Sequence, residues 1–284
     1  MKLRKLMFVL PNLFTCTSIF CGFYALTLCS GEATPAHLNQ ASFAIIFAMF
    51  FDGFDGRVAR LTRTQSQFGV ELDSLADVCS FGVVPAMLLY RWALVPLGFL
   101  GVFIAFAFAA CGALRLARFN VIALRSKHGG AARHFVGLPI PLAAGMAVSA
   151  VIAHYFATRG APLASAARVP IAGLVLALSL LMVSTVRYRT FKDVRPSARM
   201  LVVVLLITAG AVAIATQVHP AFVPAAFFSV YLLMGLVESA VVLARKVVTA
   251  GAGGAPTEEA EEVDELAGEE EAEEGSDIDE QDYL

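Results

Sequence analysis

The chain has 284 residues, of which 58% are hydrophobic and only 15% are charged, and its mean hydropathy is +0.73. Soluble domains are nearer half apolar and a quarter charged, so this composition excludes an ordinary soluble domain and disorder over most of the chain. Fifteen acids and no base fall between residues 258 and 282, and the first 250 residues hold eight acids and all 21 bases. The body is therefore cationic, which suits anionic lipid surfaces and phosphate-bearing substrates.

Eight apolar runs are long enough to cross a bilayer, which takes roughly 20 residues per helix. The first run follows three bases in Met1–Lys5, so a signal peptide is the rival interpretation there. Its length, its Pro11 and Asn12, and the lack of a small-residue cleavage site favour a retained span. The predicted spans are 7–29, 40–58, 74–93, 95–115, 137–157, 168–187, 199–217 and 221–244.

The basic residues predict an orientation for these spans. With the N-terminus in the cytoplasm, eighteen Lys and Arg fall on the cytoplasmic side, and only Arg91, Arg159 and Arg168 fall on the other. Such a bias is the usual sign of cytoplasmic loops, and it favours an even number of spans. We therefore expect an all-α integral membrane protein of the inner (plasma) membrane, with about eight transmembrane helices and both termini in the cytoplasm.

The last part of the chain differs in composition from the rest. Residues 1–248 make up the predicted transmembrane domain, and 249–284 begin with a Gly/Ala-rich linker and continue as an acidic tail. A segment with so few large apolar residues cannot bury enough surface to fold, so a disordered cytoplasmic tail is predicted. Metal buffering, or docking on a basic partner, is the functional alternative for this tail.

Four aspartates are concentrated around one short loop. Asp52 and Asp55 are three residues apart at the cytoplasmic end of the second span, and Asp73 and Asp77 are four apart at the start of the third. Both spacings place a pair on one helix face. Because a short loop, about 58–72, joins the two spans, antiparallel helices would bring all four carboxylates together at the membrane interface.

Four neighbouring carboxylates repel one another unless a cation binds between them. Oxygen ligands suit hard divalent cations, so Mg²⁺ or Mn²⁺ is expected, and two ions about 4 Å apart would suit phosphoryl transfer. The alternative is that these aspartates only cap helices at the membrane interface. Capping would explain the position of Asp73 at a helix start, but not the positions of all four acids. Glycines that leave room for a ligand and arginines that suit phosphate lie among the acids: Gly53, Gly56 and Gly69, and Arg57, Arg60 and Arg63.

The segment resembles the signature of the CDP-alcohol phosphatidyltransferase family. It reads D-x2-D-G-x2-A-R-x8-G-x3-D-x3-D and agrees with that signature at all eight fixed positions over 26 residues. Members of this family move a phosphatidyl group from a CDP-linked lipid to an alcohol and release CMP. The positions are Asp52, Asp55, Gly56, Ala59, Arg60, Gly69, Asp73 and Asp77.

The resemblance implies a role for each of these positions. Three aspartates, Asp52, Asp55 and Asp73, would hold the metal ions. Asp77 would contact a metal ion and act as the general base toward the acceptor hydroxyl. The CDP-binding residues implied are Asp52, Gly56, Ala59, Arg60 and Gly69.

Segments outside the signature resemble the branch of the family that uses L-serine as acceptor, and the resemblance covers about 1–245. Ser74 stands where relatives that use glycerol phosphate more typically have proline. CDP-diacylglycerol and L-serine are therefore the implied substrates, with membrane lipids around them and no nucleic acid. Members are commonly homodimers, which the sequence neither supports nor contradicts. The other segments are Pro11–Thr15, Ser80–Ala86, Arg115–Asn120, Phe135–Pro141, Met182–Ser184 and Phe191–Lys192.

Two functional questions stay open at this point. Arg115 and Arg118 would bind the lipid phosphate or the serine carboxylate, or they would only snorkel and set topology. Asn120 and Arg133 are weaker candidates for the same acceptor or lipid-phosphate site. Glycerol 3-phosphate or an inositol phosphate is the alternative acceptor, and a cation transporter is the remote alternative for the aspartate cluster.

Overall fold

The structure is a computed structural model that describes residues 2–62, 64, 66–125, 134–184, 187–189, 210 and 219–233. Its described part is built from long apolar helices, as the composition predicts for an all-α membrane protein. A further helical stretch covers Phe222–Leu233. The helices are α1 (Lys2–Ser30), α2 (Pro35–Thr62), α3 (Gln67–Asp77), α4 (Val84–Leu89), α5 (Phe99–Arg125), α6 (Ile140–Thr158) and α7 (Ser165–Val183).

The third predicted span is one unbroken helical rod, Gln67–Leu97, longer than the expected 74–93. It begins where the Ser66 hydroxyl caps α3 by accepting a hydrogen bond from the Gly69 N–H at 3.0 Å. Wide π-helical turns at Val78–Val83 and Tyr90–Leu94 flank α4. The first of them begins directly after Asp77, so the aspartates lie on a regular α-helical turn and the helix winding changes just beyond them.

Five helices are long and apolar enough to span a membrane, which supports an integral membrane protein. α2 also has a long apolar run, but Asp52 and Asp55 interrupt it, and it is not one of the five found among the described residues. Apart from residue 210, the predicted span 199–217 lies outside the described residues. The end of the last predicted span, the predicted boundary at 248 and the acidic tail also lie outside them. The predicted total of eight therefore stays a prediction. The five are Pro11–Ser30, Gln67–Leu97, Phe99–Ile122, Ile140–Thr158 and Ser165–Val183.

A small antiparallel strand pair was not predicted. β1 (His134–Val136) pairs with β2 (Arg187–Arg189), with Phe135 opposite Tyr188. The sixth span was expected to run to residue 187, but α7 ends at Val183 because the backbone is extended at Ser184. The pair joins the start of α6 to the end of α7.

Gly137, directly after β1, has a φ of +80°, and a Cβ there would collide with the Met182 carbonyl. Only glycine fits this backbone conformation at such close approach.

Small residues bring α1, α2 and the third span close together. Ala41, Ala44 and Ala48 form a buried stripe on α2, and Ala25 is buried on α1. At Gly22 a Cβ would stand 2.9 Å from the Ser80 hydroxyl oxygen, so any larger residue would force α1 away from the third span. Close helix packing through small residues is usual in membrane bundles. It fixes the three helices that carry the aspartates and their hydrogen-bond partner.

Candidate active site

Three of the four aspartates form a compact group at one end of these helices. The end of α2 contributes Asp52 and Asp55, and α3 contributes Asp73 from the other side of the connecting loop. One carboxylate oxygen from each of the three lies within 4.8 Å of the others. Asp55 is only 5% exposed, so at least one of these charges is withdrawn from water.

Asp77 completes the group from one turn further along the same helical rod as Asp73. Its carboxyl group interacts electrostatically with the carboxyl group of Asp52. Neighbouring ionised carboxylates repel one another, so the group favours a bound cation. The Oδ1 atoms of Asp52 and Asp77 are buried and have no hydrogen-bond partner among the described residues. Buried oxygens of this kind are costly unless a ligand satisfies them.

Asp55 is held in place by two hydrogen bonds. The Thr15 hydroxyl on α1 donates to its Oδ2 at 2.9 Å, and the Gly56 N–H donates to its Oδ1. Thr15 is itself buried, at 3% exposure. Thr15 lies in a family-like segment, but no role was predicted for it. The available signal was a polar hydroxyl residue inside an apolar helix.

The predicted acceptor-site residues have different surroundings. Arg115 on α5 is 8% exposed, interacts electrostatically with Asp77, and stacks on the ring of Phe119 at 5.5 Å. Arg118 instead donates to the Val183 carbonyl at 3.1 Å, a contact between α5 and the end of α7. Of the two arginines, Arg115 is therefore the one that interacts electrostatically with an aspartate of the group. A phosphate-binding or carboxylate-binding role stays a prediction for both.

Asn120 also connects α5 to the aspartate helix. Its side-chain amide donates to the Ser74 hydroxyl at 2.9 Å, and Ser74 follows Asp73 in the chain. The fourth acceptor-site candidate, Arg133, lies outside the described residues. Asn120 thus fixes α5 against α3 next to the carboxylates.

The CDP-binding residues implied by the resemblance differ in how open their surroundings are. A Cβ added at Gly53 or Gly56 would meet no atom within 4 Å, so the surface there is open to a ligand. Arg60 is exposed and donates from Nε to the Gly56 carbonyl at 3.0 Å, which places its guanidinium on that side. Ala59 is half-buried one residue earlier.

Gly69 is different from these two glycines because its surroundings are filled. A Cβ there would stand 3.2 Å from the Ser66 hydroxyl oxygen and 3.4 Å from Oδ1 of Asn12. This glycine permits the first turn of α3 to approach α1, and it does not itself open a space for a ligand.

The donor set fits a hard divalent cation. All four groups are carboxylates, three converge within 4.8 Å, and the buried oxygens of Asp52 and Asp77 lack a protein partner among the described residues. Oxygen-only ligands of this kind favour Mg²⁺ or Mn²⁺ over softer metals. The open side at Gly53 and Gly56 leaves room for a phosphate-bearing molecule beside the carboxylates.

Comparison with known proteins agrees with this geometry. The family model described as CDP-alcohol phosphatidyltransferase matches residues 8–218. A CDP-diacylglycerol–serine O-phosphatidyltransferase of Helicobacter pylori is 34% identical over 236 residues, which are 82% of this chain and 91% of that protein.

Two archaeal proteins are also similar over shorter stretches. An archaetidylserine synthase of Methanothermobacter thermautotrophicus is 34% identical over 63% of this chain and 69% of its own length. A CDP-diacylglycerol–serine O-phosphatidyltransferase of Methanocaldococcus jannaschii is 47% identical over 36% of this chain and 46% of its own. The family match spans well over half of the chain and includes all four aspartates. The chain belongs to the CDP-alcohol phosphatidyltransferase family.

Proposed function

We propose that this membrane enzyme transfers the phosphatidyl group from CDP-diacylglycerol to the hydroxyl of L-serine, giving phosphatidylserine and CMP. The observation that carries the proposal is the group of three convergent carboxylates, Asp52, Asp55 and Asp73, beside an open, glycine-lined surface. Relatives that match most of the chain are named for the same donor and acceptor.

The aspartates would prepare the donor for attack. Asp52, Asp55 and Asp73 would hold one or two Mg²⁺ or Mn²⁺ ions, with Asp77 as a further ligand. When bound, such ions neutralise the pyrophosphate and stabilise the charge that develops on the departing CMP. The exposed guanidinium of Arg60 would bind the nucleotide phosphates on the open side, where Gly53 and Gly56 allow close approach.

Asp77 would act as the general base. It would accept the proton of the serine hydroxyl while the oxygen forms a bond to the phosphorus that carries diacylglycerol. The bond from that phosphorus to the CMP oxygen breaks, and CMP leaves with the electron pair. Arg115 interacts electrostatically with Asp77 and has its guanidinium stacked on Phe119, so it would orient the base and supply charge for the serine carboxylate or the lipid phosphate.

The proposed location follows from the bases and from the site. The aspartates lie at the helix ends that the charge bias assigns to the cytoplasm, so the active site would open at the cytoplasmic face of the inner membrane. Acyl chains would lie in the bilayer, and serine would arrive from the cytoplasm. We include a homodimer in the proposal because members of the family that the sequence resembles are commonly homodimers.

CMP release from CDP-diacylglycerol by the purified protein tests the function. With Mn²⁺ or Mg²⁺ present, we expect release that depends on L-serine and is at least about 100-fold slower with glycerol 3-phosphate or an inositol phosphate. Release with one of those alcohols alone would keep the chemistry and overturn the acceptor. Absence of release with every alcohol, together with cation flux in proteoliposomes, would replace the transferase by the transporter alternative.

Thr15→Val should lower turnover about tenfold at limiting Mn²⁺. Valine keeps the shape of threonine but cannot donate to Asp55, and a hydrogen bond to a charged group contributes about 1.5–3 kcal/mol. Thr15→Ser should retain most of the activity. The matched control is Thr17→Val, because the Thr17 hydroxyl donates only to the Leu13 carbonyl of its own exposed helix face. Equal activity of Thr15→Val and Thr17→Val would show that the Thr15–Asp55 contact has no part in the reaction.

A further inference from the structure

A second polar site lies at the other end of the helices, far from the aspartates. A half-open cavity of about 390 Å³ is lined there by the end of the third span, the start of α2, the end of α6 and the start of α7. Arg91, which lines it, stands fourteen residues beyond Asp77 on the same helical rod, a rise of roughly 21 Å at 1.5 Å per residue. The cavity is therefore separate from the active site.

The cavity concentrates positive charge. Its lining includes the guanidinium groups of Arg91 and Arg168, and no carboxylate is among the described residues that line it. Basic residues are rare at this end, since only Arg91, Arg159 and Arg168 fall there in the predicted topology. Two of these three line one cavity, which membrane orientation does not explain because arginine is disfavoured on that side.

The two arginines have different surroundings. Arg91 donates to the Gly31 carbonyl at 2.8 Å, which holds its guanidinium at the loop between α1 and α2. Its Nε is buried and has no hydrogen-bond partner among the described residues. Arg168 is half-buried in the first turn of α7, whose N-terminal end adds a partial positive charge. A guanidinium so placed suits a phosphate oxygen.

The rest of the lining is apolar and aromatic. Leu38 and Val151 are buried in its wall, and Trp92 donates from Nε1 to Nδ1 of His154 at 3.4 Å. Tryptophan with one polar partner is typical of the depth at which lipid head groups meet the hydrocarbon. A site with arginines beside apolar walls at that depth fits a phosphate attached to acyl chains better than a free, fully hydrated anion.

We propose that this cavity, the Arg91–Arg168 site, binds the phosphate of an anionic glycerophospholipid in the leaflet opposite the active site. The lipid would act as a bound structural ligand, with its phosphate between the two arginines and its acyl chains along the apolar helix surfaces. The proposal does not depend on the reaction proposed above, because binding is measured without CDP-diacylglycerol or serine.

Trp92 is the only tryptophan of the chain, so its fluorescence reports on this site alone. The full-length protein in neutral detergent with EDTA would be titrated with dihexanoyl phosphatidylglycerol, dihexanoyl phosphatidylcholine and inorganic phosphate. We expect a saturable emission change with phosphatidylglycerol and at least about tenfold weaker responses with the other two. An equal response to phosphatidylcholine would overturn the role of charge, an equal response to inorganic phosphate would overturn the lipid source, and no response at all would refute the site.

Arg168→Gln should weaken phosphatidylglycerol binding at least about tenfold, and Arg91→Gln should do the same. The matched control is Arg159→Gln, because Arg159 is exposed and does not line the cavity. Arg91→Gln removes the hydrogen bond to Gly31, so this variant also tests folding. Arg168 makes no hydrogen bond among those found in the described residues, so Arg168→Gln tests the site without that complication. Unchanged binding by a monodisperse Arg168→Gln protein would refute the proposal.

Discussion

Asp77→Asn is expected to lower serine-dependent CMP release by about 100-fold to 10,000-fold, the range that general-base catalysis supplies. Asparagine has nearly the shape of aspartate and keeps an oxygen that can reach a cation, but it cannot take up the proton of the serine hydroxyl. Binding of CDP-diacylglycerol should change only a few-fold. The measurement is turnover at saturating serine and Mn²⁺, alongside equilibrium binding of the CDP-lipid.

The control for this variant is Glu71→Gln on the same helix. Glu71 is exposed two residues before Asp73, so its substitution removes one negative charge without touching the carboxylate group. We expect Glu71→Gln to retain turnover within about twofold. Near-normal turnover of Asp77→Asn would contradict the base assignment, and a parallel loss of CDP-lipid binding would assign Asp77 to metal binding instead.

Much of the site could be predicted because its residues are close in sequence. The aspartates are spaced three and four residues apart, which places each pair on one helix face: Asp52 with Asp55, and Asp73 with Asp77. The short loop between the two helices requires them to be antiparallel. The structure accordingly places three of these carboxylates within 4.8 Å. Local periodicity and a short connection were sufficient.

Contacts between distant segments could not be predicted in the same way. Thr15 and Asp55 are 40 residues apart, and Asn120 and Ser74 are 46 apart, so no local pattern pairs them. The same holds for Arg115, whose family-like segment indicated an anion contact but not an electrostatic interaction with Asp77. These contacts depend on how small residues such as Gly22 set the spacing of the helices.

The helix ends could also be predicted only in part. Composition located the apolar runs, but polar flanks such as Pro35–Gln40 are also helical, so α2 begins five residues before its predicted start. The strand pair at His134–Val136 and Arg187–Arg189 arises from the pairing of two distant three-residue segments, too short for a periodic signal. Its position next to Gly137 shows that a glycine in a family-like segment serves backbone packing there.

Asp52→Asn should raise the Mn²⁺ concentration needed for half-maximal activity by at least about tenfold, and it should weaken CDP-diacylglycerol binding in Mn²⁺. Asp52 is shared by both halves of the site, since one of its oxygens groups with Asp55 and Asp73 and its carboxyl group also interacts electrostatically with Asp77. Loss of its charge therefore removes a ligand and leaves the remaining carboxylates less able to hold a divalent cation. Electron paramagnetic resonance of free Mn²⁺ would give the affinity directly.

Added metal separates this variant from Asp77→Asn. High Mn²⁺ should restore a large part of the turnover of Asp52→Asn, because mass action compensates for a weakened site, but it should not restore Asp77→Asn, which lacks a proton acceptor. EDTA should abolish wild-type turnover, and either Mg²⁺ or Mn²⁺ should recover it. Unchanged Mn²⁺ affinity in Asp52→Asn, measured beside the exposed control Glu71→Gln, would show that the carboxylate group does not bind the metal, and the donor would then have to be held by the arginines alone.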